Sequence, residues 1–190
     1  MSGSCSIRMI LEVSLVCDNS ISEVSTFLDS DTFAKIVDST PLIAIDLVVR
    51  NASGQILLGL RTNRPAQGFW FVPGGRIVKN ESIEHAFKRL TKAELGIEIS
   101  IANAKYLGLY EHFYNDSVFG AANENKSIST HYVVNGFEVV LPALEGKLAS
   151  QELPKEQHED YRWLSETELL AAPNVHVHSK WYFNKDKGFL

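Results

Sequence analysis

Cysteine is scarce in this 190-residue chain: Cys5 and Cys17 are the only two, both near the N-terminus. The rest holds no thiol, so no disulfide framework supports a fold, and a cytoplasmic setting is the simplest account. Long apolar runs are also missing. No stretch approaches the roughly twenty residues of a membrane-spanning helix. There is no basic run or stripe, and the formal net charge is −5. A surface built for nucleic acid is therefore not expected.

What remains is an ordinary globular composition, 45% hydrophobic, long enough for one domain with a sizeable core. Residues 1–25 stand apart. Their apolar run is short and broken by Glu12, and Val16 stands where a lipid-modified Cys17 would want a small residue, so a signal peptide fits poorly. They read either as a flexible extension before a domain over 26–190, or as an added edge strand, since ILEVSLV alternates apolar and polar residues.

The densest pattern is GGRIVKNESIEHAFKRLTKAELGI, Gly74 to Ile97. Before it, GFWFVP reads as a buried strand entering a tight turn, where Pro73 fixes one φ angle. Gly74 and Gly75 allow a sharp bend and a close approach to a ligand. From Glu81 the spacing is helical, with Ile83, Ala86, Phe87, Leu90 and Ala93 on one apolar face. Gly96 ends the helix as a C-cap. Glu81 and Arg89 read as a supporting ion pair.

Gly75, Glu81, Arg89, Glu94, Gly96 and Ile97 follow G-x5-E-x7-R-x4-E-x-G-hydrophobic, which resembles the Nudix hydrolase family pattern. The chain departs from it at Leu90 and Ala93, where glutamates are usual, and at Thr91, where an aliphatic is usual. Glutamates at positions 90 and 94 would share a helix face and clamp a divalent cation. Here only Glu94 can serve.

The segments at 57–75, 89–96, 112–116, 130–134 and 156–164 together resemble the GDP-mannose mannosyl hydrolases, a Nudix subgroup with the same shortened acidic set. The resemblance implies an α/β/α sandwich around a mixed β-sheet. It implies Mg²⁺ held by the Gly74 carbonyl, Glu94 and Gln157. It makes His158 the general base, although EQHED also reads as a solvated acidic loop. Arg61 would bind the diphosphate, and Arg76 is either a second such group or a surface residue. His112 and Tyr132 would lie near the sugar and the leaving phosphate. Phe27, Leu28 and Phe33 match a base-binding segment, and also read as the apolar face of a short helix capped by Asp29 or Ser30. Both hold if a homodimer completes the face.

Asp46 lies in the apolar run PLIAIDLVV. A buried aspartate needs a partner, either a sugar hydroxyl or a local arginine. His85, His131, His176 and His178 read as helix-face, strand or surface residues. The activity implied is attack of water at C1 of the sugar of GDP-mannose or GDP-glucose, with inversion. Arg61 and His112 would offset charge on the departing GDP. The alternatives are attack at phosphorus of another nucleoside diphosphate derivative, or nucleotide binding without turnover.

Strands are expected at Leu42–Val49, Ile56–Leu60, Phe69–Val72, Ala104–Tyr114, His131–Val140 and Asp160–Leu164, with a helix from Glu166. The polar segment after Tyr114 is long enough for a flap, and the closing aromatics are expected to dock on the domain.

Overall fold

The computed structural model describes residues 28–119, 128–141, 158–184 and 186–189. Residues 1–25, Phe27, Gln157, the centre of the expected flap and the connection after Leu141 lie outside these. Among the described residues seven strands form one mixed sheet: β1 (Leu42–Arg50), β2 (Ile56–Arg61), β3 (Trp70–Phe71), β4 (Gly74–Arg76), β5 (Ala104–Tyr114), β6 (Thr130–Val140) and β7 (His158–Leu164). The main order is β3-β2-β1-β6-β5, with β4 paired to β1 and β7 to β2. The β1–β6 pair is parallel and the others are antiparallel.

The helices are α1 (Ser30–Ser39), α2 (Ile83–Leu95), α3 (Glu166–Ala171) and α4 (Val177–Trp181). Alternation along β1 sends its side chains to opposite faces. Ile45, Leu47 and Val49 pack with Phe87, Leu90 and Leu95 of α2. Ala44 and Val48 pack with Leu169 and Tyr182 from the C-terminal end. The sheet thus has helices on both sides, as the resemblance implies.

Local chemistry fixes the ends of these elements. Asp29 caps α1 by accepting from the Thr32 amide at 2.9 Å, which settles the choice between Asp29 and Ser30. A tight turn at Asn51–Gln55 joins β1 to β2, with Gly54 at positive φ. Helix α2 begins at Ile83 rather than Glu81, because Ser82 is its cap and accepts from His85 N. Gly96 closes it in the left-handed conformation at φ 74. Ser165 and Glu168 form a reciprocal capping box on α3.

Three expectations need correction. The buried face of α2 is rotated from the one the spacing suggested: Ile83 is 47% exposed and Ala93 is exposed, whereas Thr91, Glu94 and Leu95 are buried. Thr91 is tolerated inside because its hydroxyl donates to Lys88 O and accepts from Ile99 N. Gly74 and Gly75 lie in a short strand on β1, not in a sharp bend. Their lack of a side chain matters for close approach: a Cβ on Gly74 would lie 2.5 Å from Ile45 O. Helix α4 was not foreseen at all.

Candidate functional site

A cavity of about 400 Å³ opens between β1, β4, β5, β6, the start of α1 and the loop after β2. Asp46, Arg61, Arg76, His112 and Tyr132 line it, together with Phe33, Gly74 and Gly75. The structure therefore gathers most of the residues singled out in the sequence, from strands far apart in the chain. Leu28 is exposed and does not line the cavity.

The arginines make one side of the cavity suited to an anion. Arg61 ends β2, and its Nε is buried without a hydrogen-bond partner among the described residues. A buried donor left so calls for a ligand oxygen. Arg76 extends over the Phe33 ring, 4.1 Å from the centroid, and burial pulls its pKa below the usual guanidinium value. The choice between cavity and surface for Arg76 goes to the cavity. Beside them Arg89 forks onto Glu81 at 2.6 and 2.8 Å and donates to the Arg76 carbonyl at 2.9 Å. The expected Glu81–Arg89 pair thus braces the β4–α2 connection rather than facing a ligand.

The other side is built around Asp46. It is buried, and among the described residues the hydroxyl of Tyr182 donates to its Oδ2 at 2.6 Å, a partner the sequence did not suggest. Burial raises the Asp46 pKa to about 7, against the lowering effects of Tyr182 and Arg61. His112 places Nδ1 4.0 Å from the same oxygen. Its Nε2 is buried and unpartnered among the described residues. Burial, then the neighbouring His178 and His176, lowers the His112 pKa to about 2. Held neutral in this way, the ring can donate one N–H but brings no positive charge to the cavity. Burial also raises the Tyr132 phenol, which stays protonated and able to donate.

Glu94 is buried at the end of α2, near enough to Asp46 to raise its pKa. No group of three His, Cys, Asp or Glu among the described residues could hold a metal ion. A site there would draw on carbonyl and amide oxygens as well. The Gly74 carbonyl and Glu94 are hard oxygen donors of the kind Mg²⁺ accepts, and a cation would offset the repulsion between the two buried carboxylates. His158 opens β7 directly opposite Arg61 in the ladder, so its backbone lies beside a residue that lines the cavity.

Sequence reading missed the C-terminal contribution. His178 is 4% exposed, not a surface residue, and its ring stacks on His112 with centroids 4.2 Å apart. His176 caps α4 and packs against Phe69, Phe71 and Tyr114. The alternation in NVHVHSKWYF gives a weak signal, since it spaces His176 and His178 like paired inward residues. His85 is exposed as expected, and His131 lies on β6 stacked against Phe113.

Comparison with known proteins places the chain. A NUDIX domain model matches residues 40–184. The low-salt glycan biosynthesis protein Agl8 of Haloferax volcanii is 40% identical over 123 residues, covering 65% of this chain and 74% of that protein. The MutT protein of Methanosarcina mazei superposes with a TM-score of 0.58 at 20% identity, over 77% of this chain and 94% of that one. A MutT NUDIX hydrolase of Burkholderia pseudomallei gives 0.55 at 21%, over 77% and 98%. At such identities the structural likeness is one of fold.

Proposed function

The chain belongs to the NUDIX domain family, and on that premise we propose that it hydrolyses a nucleotide-linked sugar at the sugar carbon. GDP-mannose is the substrate of choice, with GDP-glucose second. The observation that carries this reading is Leu90. It is buried in the cavity wall against Gly75, where the family pattern has a glutamate. Of the motif's glutamates at 90, 93 and 94, the helix keeps only Glu94. Water aimed at phosphorus would lack the carboxylates that ordinarily hold and deprotonate it.

The rest of the cavity suits attack at carbon. Arg61 and Arg76 take the diphosphate oxygens, with guanidinium forks matched to them. Phe33 offers an aromatic face beside Arg76 for the base. Asp46, His112 and Tyr132 face the sugar and the bridging oxygen. The name of the Haloferax relative, a glycan biosynthesis protein, agrees with a glycosyl-carrying substrate.

In the proposed reaction His158 takes a proton from water as the water oxygen bonds to C1. The C1–O bond breaks, and its electron pair leaves with the GDP oxygen. Arg61 opposes the charge that develops there, and the neutral His112 donates a hydrogen bond. Mg²⁺, held by the Gly74 carbonyl, Glu94 and Gln157, would supply Lewis-acid stabilisation of the diphosphate. The departing GDP then needs no protonating carboxylic acid, unlike the leaving group of an ordinary glycoside.

Product analysis in ¹⁸O-water tests the proposal. Label in mannose supports it. Label in GDP means attack at phosphorus and rejects it in favour of the pyrophosphohydrolase reading. We further assign residues 26–190 to one cytoplasmic domain that pairs as a homodimer, with 1–25 an extension outside it. Light scattering on the full chain checks the dimer.

A further inference from the structure

The C-terminal segment packs behind the cavity, against residues that line it rather than in the lining itself. The Val72 amide donates to Ser179 Oγ at 3.1 Å, and Trp70 exchanges backbone bonds with Asn174 and His176 at 2.9 and 3.0 Å. These bonds seat α4 against β3. From that seat two side chains meet the two polar groups at the sugar end: Tyr182 meets Asp46, and His178 meets His112.

We propose that Tyr182 and His178 are positioning residues for the glycosyl half of the substrate, Tyr182 by orienting Asp46 and His178 by holding the plane of His112. The proposal rests on the reading of this cavity as a nucleotide-sugar site and adds residues that the family pattern does not include.

The geometry of Tyr182 leaves it little freedom. Its ring packs edge-on against Tyr110 with centroids 4.6 Å apart. Gly136 sits against both rings, where a Cβ would lie 2.9 Å from Tyr182 Cε1 and 3.0 Å from Tyr110 Cε2. So placed, the hydroxyl commits Oδ2 of Asp46. Oδ1 lies on the Gly74 side, where a Cβ would come within 2.6 Å, and Gly74 lines the cavity. The carboxylate thus presents one oxygen to one sugar hydroxyl, rather than two oxygens to a pair. A carboxylate free to rotate would accept several sugar orientations, and C1 would lose its alignment with the attacking water.

His178 does the same for His112. The rings are 9° from parallel, which sets His112 Nδ1 toward Asp46 and leaves Nε2 for the ligand. Trp181 lies beside the pair, its ring centroid 4.4 Å from His178 and 5.8 Å from His112, so both rings are braced by a third. Packing alone would explain buried rings. It would not predict that their loss falls on the sugar and spares the nucleotide.

Y182F and D46N, singly and together, test this in the full chain with Mg²⁺. KM and kcat are measured with GDP-mannose and Kd with GDP. Y182F should lower kcat/KM for GDP-mannose about 10-fold, with a fall in kcat, and leave the Kd for GDP within about twofold. It should add almost nothing in the D46N background, because coupled partners are non-additive. A parallel loss of GDP affinity, or full additivity, overturns the proposal for Tyr182. For His178, H178A should lower kcat and H178F, which keeps a flat ring on His112, should restore most of it. Equal loss in both overturns that half, and this pair carries the test if Y182F does not fold. A wild-type protein that releases no mannose defeats the substrate reading instead. Positioning is then read without substrate, from the NMR shift of the Asp46 carboxyl carbon. An unchanged shift in Y182F rejects it.

Discussion

Leu90 occupies the space into which any side chain on Gly75 would project: a Cβ there would lie 2.6 Å from Leu90 Cδ2. The strand β4 and the helix α2 are in this sense fitted to each other through one missing methyl group. The residue that replaces a family glutamate also closes the floor of the cavity.

That fit gives a mutational prediction. G75A should destabilise the protein by about 1–3 kcal/mol, the usual cost of overpacking. L90A should cost about 2–5 kcal/mol through the void it leaves. The double variant should be less destabilised than the sum of the two, by on the order of 1 kcal/mol or more. Urea unfolding of the four proteins measures this, and simple additivity would show that the two residues do not share the space.

Arg61 should dominate nucleotide affinity. Its unpartnered buried Nε implies a charged hydrogen bond worth roughly 2–3 kcal/mol to a phosphate oxygen. R61A should therefore weaken GDP binding about 30- to 150-fold by calorimetry. R61K should recover only part, since an ammonium cannot reproduce the fork. Full recovery would make Arg61 a point charge and no more.

Removal of Glu94 should abolish the metal response. E94Q keeps shape and size but loses the charge, and its turnover should no longer rise when Mg²⁺ is added to chelator-treated protein. The wild type should lose turnover to chelator and regain it on adding Mg²⁺. A wild-type protein equally active without metal would remove Glu94 from the ligand set.

Acid should destabilise the fold through three buried histidines. Burial lowers the pKa of His112 to about 2, of His178 to about 3 and of His176 to about 4, from 6.5. Below about pH 6.5 the unfolded chain takes up protons that the folded one refuses, so stability falls as pH falls. The fall ends for each group once pH passes its folded value. Asp46, raised from 3.8 to about 7, opposes this: its contribution is full below 3.8 and is lost as pH rises through about 7. One carboxyl against three histidines leaves a net loss of stability between pH 6.5 and 4. Urea midpoints at pH 7.5 and 5 should show it, and H178N should flatten the difference.

The strands and helix caps were legible because their signals are local. An apolar run marked β1, Asp29 and Gly96 marked helix ends, and Glu81 with Arg89 sat at the spacing of a bracing pair. The face of α2 was misjudged because Thr91 and Glu94 count as polar, while the fold buries both. The partner of Asp46 was not legible at all. It lies 136 residues downstream, and nothing near Asp46 in the sequence points to it. His112 and His178 likewise meet only because β5 and α4 are brought together by the sheet. Residues identified by motif could be named from sequence, but those that orient them are known only through tertiary contact.

The Asp46–Tyr182 bond has a consequence for synthesis. One partner lies in the first strand of the sheet and the other within the last ten residues of the chain. A nascent chain emerges N-terminus first, and its early strands can pair before the end is made. Tyr182 is made late, so Asp46 spends most of synthesis without the hydroxyl that meets it in the folded protein, and the buried pair closes only after β1 can already have found its neighbours.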